Sequence, residues 1–153
     1  MFFVRSKIVL LLIPILIIIG CGRQFTTVAP EGFAVYRDGS AFRAASHDRL
    51  VYRVKCMKNI PYAEFPFWKE AFPKRMSDAG YRVINDTVIQ INDNDALILE
   101  LAAPLGEFDY LYNILMMVKG KKILLAEAAG EVEIMHKNRE KIIKAFKSID
   151  WKN

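Results

Sequence analysis

The pattern of apolar and polar residues has a strand-like period of two near the start of the globular part of the chain. Residues 33–37 and 41–45 alternate on either side of Asp38-Gly39, a pair that is typical of tight hairpin turns. A third alternating segment spans residues 50–57, after a bend at residues 46–48. We therefore predict a three-stranded antiparallel meander.

The next segment has a helical period. It spans about residues 67–79, with Pro66 near its first turn and Gly80 as the expected stop. Its apolar stripe consists of Trp68, Ala71, Phe72, Met76 and Ala79. Pro73 lies inside the segment and removes one hydrogen bond of the helix, so we expect a kink or a break there.

The strand period returns after residue 80. We predict strands over residues 81–84, 88–91, 96–103, 108–118 and 121–129, with turns at residues 85–86, 92–95, 104–106 and 119–120. Residues 97–99, 114–118 and 123–125 are apolar on both faces, which is typical of strands that are covered on both sides. These central strands therefore need a helix on each face.

A second helix closes the chain. Its apolar stripe, interrupted only by Arg139, consists of Val132, Met135, Ile142, Phe146 and Ile149. Acidic residues at its start and basic residues at its end match the helix dipole. The order of elements predicts an α+β fold: an α/β/α sandwich with a mostly antiparallel sheet, an N-terminal three-stranded meander and one helix on each face.

The first twenty residues have a different pattern from the rest of the chain. Arg5 and Lys7 precede an apolar run over residues 8–19, which Pro14 interrupts. A helix of that length extends about 18 Å, whereas a bilayer core is about 30 Å thick. The run is therefore typical of a cleaved secretion signal, and a short uncleaved anchor is the alternative.

The end of this run resembles a more specific signal. Ile18-Ile19-Gly20-Cys21 resembles the lipobox of bacterial lipoproteins, with an ordinary secretion signal and a coincidental cysteine as the alternative. The resemblance implies cleavage between Gly20 and Cys21, an S-diacylglycerol on Cys21 and an acyl chain such as palmitate on its new amino terminus.

The lipoprotein resemblance also sets the organisation and the location of the chain. It divides the chain into a signal peptide over residues 1–20, a tether over residues 21–30 and a globular domain over residues 31–153. Gly22 after the lipidated cysteine resembles the outer-membrane pattern rather than the inner-membrane one. We therefore expect an extracytoplasmic domain that is anchored to a membrane through Cys21 and faces the periplasm.

Charge argues against nucleic acid as a partner. Arg5 and Lys7 leave with the signal, which lowers the net charge from +5 to +3, and no aromatic platform accompanies the basic residues. Two basic segments, residues 49–58 and 137–147, could face anionic lipid headgroups beside the anchor. Solvated surface is the other interpretation of both segments.

The residue types that commonly bind metals or catalyse reactions do not form a recognisable motif. Cys56 has no second cysteine after Cys21 is lipidated, and its alternating segment predicts a small buried core residue. His47 and His136 are too few for a zinc site, Ser46-His47-Asp48 is a bend, and Asp93-Asn94-Asp95 lacks the spacing of a calcium loop. We predict no cofactor and no metal.

Three carboxylates stand out because each lies in an otherwise apolar strand. They are Glu100, Asp109 and Glu127. Burial would raise their pKa values and could prepare one of them for acid–base chemistry. The alternative, which we favour, is that each lies at a sheet edge or pairs with a nearby Lys or Arg, since no nucleophile accompanies them.

The order of elements resembles the PsbP-like α/β/α sandwich superfamily, which includes bacterial DcrB-type lipoproteins. The resemblance covers about residues 29–150 and rests on the element order with residues 29–33, Phe67-Trp68, Gly80-Tyr81 and residues 126–130. It implies a non-catalytic module that binds an envelope protein. A small-molecule or lipid carrier, suggested by Met116 and Met117, and an enzyme that uses the embedded carboxylates are the alternatives.

Overall fold

The structure is a computed structural model that describes residues 24–105 and 108–152. Its elements, in chain order, are β1 (Phe25–Thr26), β2 (Phe33–Asp38), β3 (Ala41–Ser46), β4 (Val51–Lys58), α1 (Phe65–Asp78), β5 (Arg82–Ile91), β6 (Asn94–Leu105), β7 (Phe108–Lys119), β8 (Lys122–Glu131), α2 (Val132–Lys137), α3 (Arg139–Lys147) and β9 (Asp150–Trp151).

Seven strands form one antiparallel sheet in the order β2-β3-β4-β8-β7-β6-β5. The N-terminal meander, β2 to β4, forms one side of the sheet. Helix α1 connects β4 to β5, which is the opposite edge strand. Successive hairpins return it to β8, which pairs with β4 in the middle of the sheet. The predicted α+β sandwich with an antiparallel sheet and an N-terminal meander is confirmed.

Helices cover both faces of the central strands, as their two-sided apolar sequence predicts. We call one side the α1 face, where Trp68 of α1 packs on Leu97, Leu99, Leu101, Ile114, Met116, Ile123 and Leu125. We call the other side the α3 face, where α2 and α3 contribute Met135, Ile142, Ala145 and Phe146 to a core with Tyr52, Val54, Leu115, Met117 and Leu124. Both layers depend on burial of these apolar side chains.

The predicted turn at residues 85–86 is wrong, because β5 is one continuous strand. The register shifts between Val83 and Asn85, which marks a β-bulge. Since β5 is an edge strand, Asn85 and Asp86 can point into solvent and still pair with β6. The predicted turn at residues 92–95 is confirmed in part: Asn92 and Asp93 both have positive φ and close the β5–β6 hairpin.

Of the kink or break predicted at Pro73, the break is wrong, because α1 runs from Phe65 to Asp78 with Pro73 inside it. The helix has its inner stripe packed on the sheet through Trp68, Ala71, Phe72 and Met76. That packing offsets the one hydrogen bond that proline removes.

The predicted final helix is instead two helices, which meet at Asn138. The Asn138 side chain donates to the carbonyl of Ile134 at 2.9 Å and so bonds the last turn of α2. Arg139, which interrupts the apolar stripe in the sequence, begins α3. The polar pair at residues 138–139 thus marks the junction.

The predicted tether over residues 21–30 is ordered wherever the structure describes it, which is residues 24–30. Phe25 and Thr26 pair with Trp151 and Asp150, and Phe25 is buried in the core of the α3 face. The backbone N–H of Lys152 donates to the carbonyl of Gln24 at 3.0 Å. This part of the expected tether therefore belongs to the domain, while residues 21–23 lie outside the described residues.

Candidate functional site

The predicted signal peptide, its cleavage point and Cys21 all lie outside the described residues. Among the helices that the structure describes, none is long and apolar enough to cross a membrane. The geometry below therefore concerns the surface of the domain.

The α1 face is covered over only part of its width. Helix α1 packs against β5, β6 and β7. Side-chain exposure on this face rises towards the N-terminal edge, from 7% at Leu125 of β8 to 48% at Val51 of β4 and 62% at Tyr36 of β2. We call the exposed part, on β2, β3 and β4, the open face.

A row of three arginines crosses the open face. Arg37 of β2 lies directly opposite Arg43 of β3, and Arg43 lies directly opposite Arg53 of β4. We call this set the arginine row. Directly opposite residues of an antiparallel pair are neighbours on the same face, and like charges placed there repel.

The inner end of the row meets one buried carboxylate. Glu127 of β8 lies directly opposite Arg53, whose Nε–H donates to Glu127 Oε2 at 2.5 Å. The Tyr112 hydroxyl donates to Glu127 Oε1 at 2.5 Å, and Lys55 Nζ lies 3.8 Å from Oε2. Both carboxylate oxygens therefore accept charge-assisted or short hydrogen bonds from fixed partners.

The contacts with Glu127 also shift the pKa values of Tyr112 and Arg53. Burial, followed by the bond to Glu127, raises the pKa of Tyr112 well above its usual value, and the bond to Glu127 raises the pKa of Arg53. Tyr112 stays a donor and Arg53 stays a cation. The cluster thus fixes the inner end of the arginine row, as expected for a carboxylate paired with a nearby arginine.

Arg43, in the middle of the row, has a buried donor group. The Arg43 Nε atom has no hydrogen-bond partner among the described residues. Tyr36 and Val51 stand beside the row and line, with Arg43, Arg53 and Glu127, a shallow cleft of about 310 Å³. The site therefore combines arginine donors with exposed apolar side chains.

The other two predicted carboxylates are not near Glu127. Glu100 lies on the α3 face, where Arg139 Nη2 donates to its Oε2 at 3.4 Å. Asp109 is exposed near the start of β7. The ion pairing predicted for embedded carboxylates is thus confirmed for Glu100 and Glu127, and Asp109 is not embedded.

The prediction that Cys56 is a buried core residue is only partly correct. It packs against the core of the α3 face but is half-buried, and burial raises the pKa of its thiol. It lines a second, larger cleft of about 660 Å³ at the end of β4, together with Met57, Lys58, Asn59, Ile60, Tyr62, Lys121 and Lys122.

The bend predicted at residues 46–48 is confirmed, and the two histidines lie on separate elements. Ser46 bonds Asp48 through its hydroxyl and accepts from the Leu50 N–H, so residues 46–48 form the bend before β4. His136 lies on α2, on another element from His47. Within the described ranges, no three His, Cys, Asp or Glu residues are grouped as metal ligands.

Asn59 is a residue that the sequence analysis missed. It is buried, and its amide donates to the carbonyls of Ala63 and Gly120, both at 2.8 Å. Its Oδ1 accepts from Trp68 Nε1 at 2.7 Å. One side chain thus joins the β4–α1 loop, the β7–β8 turn and the buried tryptophan of α1. A lone asparagine after a strand carries no sequence signal for such a role.

The residues that suggested a carrier lie in the packed core. Met116 belongs to the core under α1 and Met117 to the core on the α3 face. Neither lines the two clefts described above.

Comparison with known proteins identifies the fold. No protein-family model matches the chain, and no curated protein matches its sequence. The solved structures that resemble it include LpqN of Mycobacterium tuberculosis, described as involved in cell envelope biogenesis, with a TM-score of 0.63 and 8% identity over 82% of this chain and 81% of that one.

Two further structures have the same architecture. Protein PA94 of Pseudomonas aeruginosa, of unknown function, has a TM-score of 0.60 and 11% identity, covering 76% of this chain and 94% of that one. The cyanobacterial PsbP of Synechocystis sp. PCC 6803 has a TM-score of 0.56 and 11% identity, covering 84% and 86%. At these identities the likeness shows the fold alone, and it supports the PsbP-like sandwich predicted from the sequence.

Proposed function

We propose that this chain is a lipid-anchored protein of the cell envelope, attached through Cys21, whose open face binds another envelope protein as a non-catalytic module. The lipobox-like segment supports the anchor and the periplasmic side of the outer membrane as its location. The fold shared with LpqN, a protein involved in cell envelope biogenesis, agrees with that compartment.

The observation that carries the proposal is the arginine row. Three arginines are neighbours across β2, β3 and β4 with one carboxylate at the inner end of the row, and Arg43 Nε is buried without a partner in the part of the chain that the structure describes. Such an arrangement costs stability unless an anion completes it. Carboxylates of a partner protein would supply that charge, because arginine donors bind carboxylates in paired geometry.

The surroundings of the row favour a protein partner. Tyr36 and Val51 are exposed beside the arginines, and tyrosine and arginine are the residue types enriched in the centres of protein interfaces. Helix α1 packs on β5, β6 and β7, so these side chains on β2 and β4 are accessible to a partner. We therefore expect the partner to present an acidic segment with apolar side chains.

Replacing Cys21 by Ser is expected to abolish lipid attachment, since the thiol sulfur is the atom that carries the diacylglycerol. Cells fed a radioactive fatty acid should label the wild-type chain and leave Cys21→Ser unlabelled, with both detected equally by antibody. Labelling of the serine variant would contradict the anchor. Cys56→Ser is the matched control and should keep its label.

Reversing the charge at the outer end of the arginine row is expected to weaken binding of the partner protein. A photoreactive amino acid at position 51 should crosslink one discrete envelope protein in intact cells. Arg37→Glu should reduce that product by about tenfold or more, since close charge pairs across interfaces contribute at least about 1.5 kcal/mol. Arg37 is exposed, and a glutamate opposite Arg43 forms a favourable pair, so the variant should still fold.

The matched control for this experiment is Arg82→Glu, a charge reversal at an exposed residue of the opposite sheet edge. It should leave the crosslinked product unchanged. Equal loss in both variants, or the absence of any discrete product from the wild-type protein, would contradict binding at the open face.

A further inference from the structure

The described chain begins beside the end of the sheet where β7 turns into β8. The Lys122 ammonium donates to the Gln24 side-chain oxygen, and Lys152 N–H donates to the Gln24 carbonyl. Cys21 precedes Gln24 by three residues, which span at most about 10 Å of extended chain. A lipid on Cys21 would therefore hold this end of the domain close to the membrane surface.

The same end exposes apolar side chains. Ile60 is 69% exposed, Tyr62 is 62% exposed and Met57 is half-exposed. All three line the cleft of about 660 Å³ at the end of β4. Aliphatic and tyrosine side chains that stand together on a surface suit the boundary between headgroups and acyl chains.

Lysines stand around these apolar residues. Lys58 lies directly opposite Lys122 across β4 and β8, and Lys119 lies directly opposite Lys122 across β7 and β8. Lys121 is exposed in the turn between them. The Glu64 carboxylate accepts from the Tyr62 hydroxyl at 2.9 Å. Like charges in register repel, so an anion beside these lysines would stabilise them.

Hydrogen bonds fix the apolar residues next to the lysines. Asn59 bonds the loop that carries Ile60 and Tyr62 to the β7–β8 turn through the Gly120 carbonyl at 2.8 Å. Its own N–H donates to the Lys121 carbonyl at 2.9 Å. The two segments therefore form one surface, which we call the basal surface, defined by Met57, Lys58, Ile60, Tyr62, Lys121 and Lys122.

We propose that the basal surface docks on the bilayer, with Ile60 and Tyr62 entering the headgroup region and Lys58, Lys121 and Lys122 binding anionic phospholipid headgroups. The inference rests on the lipid anchor proposed above. An anionic membrane surface attracts each lysine, so the three would fix the orientation that a flexible anchor leaves free.

Docking at this end would leave the open face accessible to a partner protein. Arg53 lies five residues before Lys58 in β4, a distance of about 17 Å along the strand. The sheet would stand on its end, with the arginine row above the headgroups and accessible from the side. A partner in the periplasm or at the membrane could then reach Tyr36 and Arg37.

The test measures how deeply one introduced tryptophan enters the bilayer of a vesicle. The lipidated mature protein is reconstituted as Tyr62→Trp and, as the matched control, as Tyr36→Trp, because both tyrosines are 62% exposed. Brominated phosphatidylcholine quenches only tryptophans that enter the bilayer, and the signal of Trp68 and Trp151 is subtracted with the parent protein. In vesicles that contain phosphatidylglycerol we expect Tyr62→Trp to be quenched at least about twofold more than Tyr36→Trp.

The lysines are tested in the same assay. Lys58→Glu with Lys121→Glu should reduce the quenching of Tyr62→Trp to the level of the control, while the protein still sediments with the vesicles through its lipid. Docking through anionic headgroups would be overturned if Tyr62→Trp and Tyr36→Trp were quenched equally. It would also be overturned if Tyr62→Trp were quenched as strongly in vesicles without phosphatidylglycerol as in vesicles that contain it. Either result would leave the anchor unaffected. Protein that fails to sediment with any vesicle would overturn the anchor and the docking together.

Discussion

Replacing Phe25 by Ala is expected to lower the free energy of unfolding by about 3–5 kcal/mol, the usual cost of removing a buried phenylalanine. Phe25 is 1% exposed and lies opposite Trp151 in the β1–β9 pair. The variant leaves a cavity beneath the strand pair that joins the two ends of the described chain. Urea denaturation followed by circular dichroism measures the loss.

Val28→Ala is the matched control, because Val28 is 66% exposed and only three residues away. It should change the free energy of unfolding by less than about 0.5 kcal/mol. If Phe25→Ala were no more destabilising than Val28→Ala, residues 24–30 would behave as a tether. The result also bears on docking, because only a segment fixed at Gln24 brings the lipid within about 10 Å of the basal surface.

The sequence predicted the layers of the fold because those layers depend on periodic burial. Alternation in residues 50–57 and two-sided apolar runs such as residues 114–118 report directly which faces are covered. The two-residue strands β1 and β9 have no measurable period, and their pairing joins residues at opposite ends of the chain. No local pattern could have distinguished Phe25 in the core from Phe25 in a linker.

The arginine row shows why the candidate site was harder to predict. Arg37, Arg43 and Arg53 are ordinary strand residues in the sequence, and whether they meet depends on the register of two hairpins. A register shift between Val35 and Arg37 brings Arg37 opposite Arg43. The sequence did indicate that Glu127 pairs with a nearby Lys or Arg, but it could not identify Arg53 as the partner.

Asn59→Ala is expected to lower the free energy of unfolding by about 3 kcal/mol, because a buried donor left without a partner costs about 1–3 kcal/mol and each further hydrogen bond contributes about 1 kcal/mol. The substitution leaves the Trp68 indole N–H and the carbonyls of Ala63 and Gly120 without the bonds that Asn59 makes. Trp68 is itself buried, so water cannot easily replace the bond to its indole. Thermal and urea denaturation would both report the loss.

Asn85→Ala is the control for this substitution, since Asn85 is an exposed asparagine of an edge strand and should change stability by less than about 0.5 kcal/mol. Trp68→Phe removes the same N–H donor, so the double variant with Asn59→Ala should be less destabilised than the sum of the two single variants. Additive effects would show that the bond between Asn59 and Trp68 contributes nothing to stability.

Asn59 also attaches the loop of Ile60 and Tyr62 to the β7–β8 turn. Asn59→Ala should therefore reduce the bilayer quenching of Tyr62→Trp under conditions where the domain remains folded.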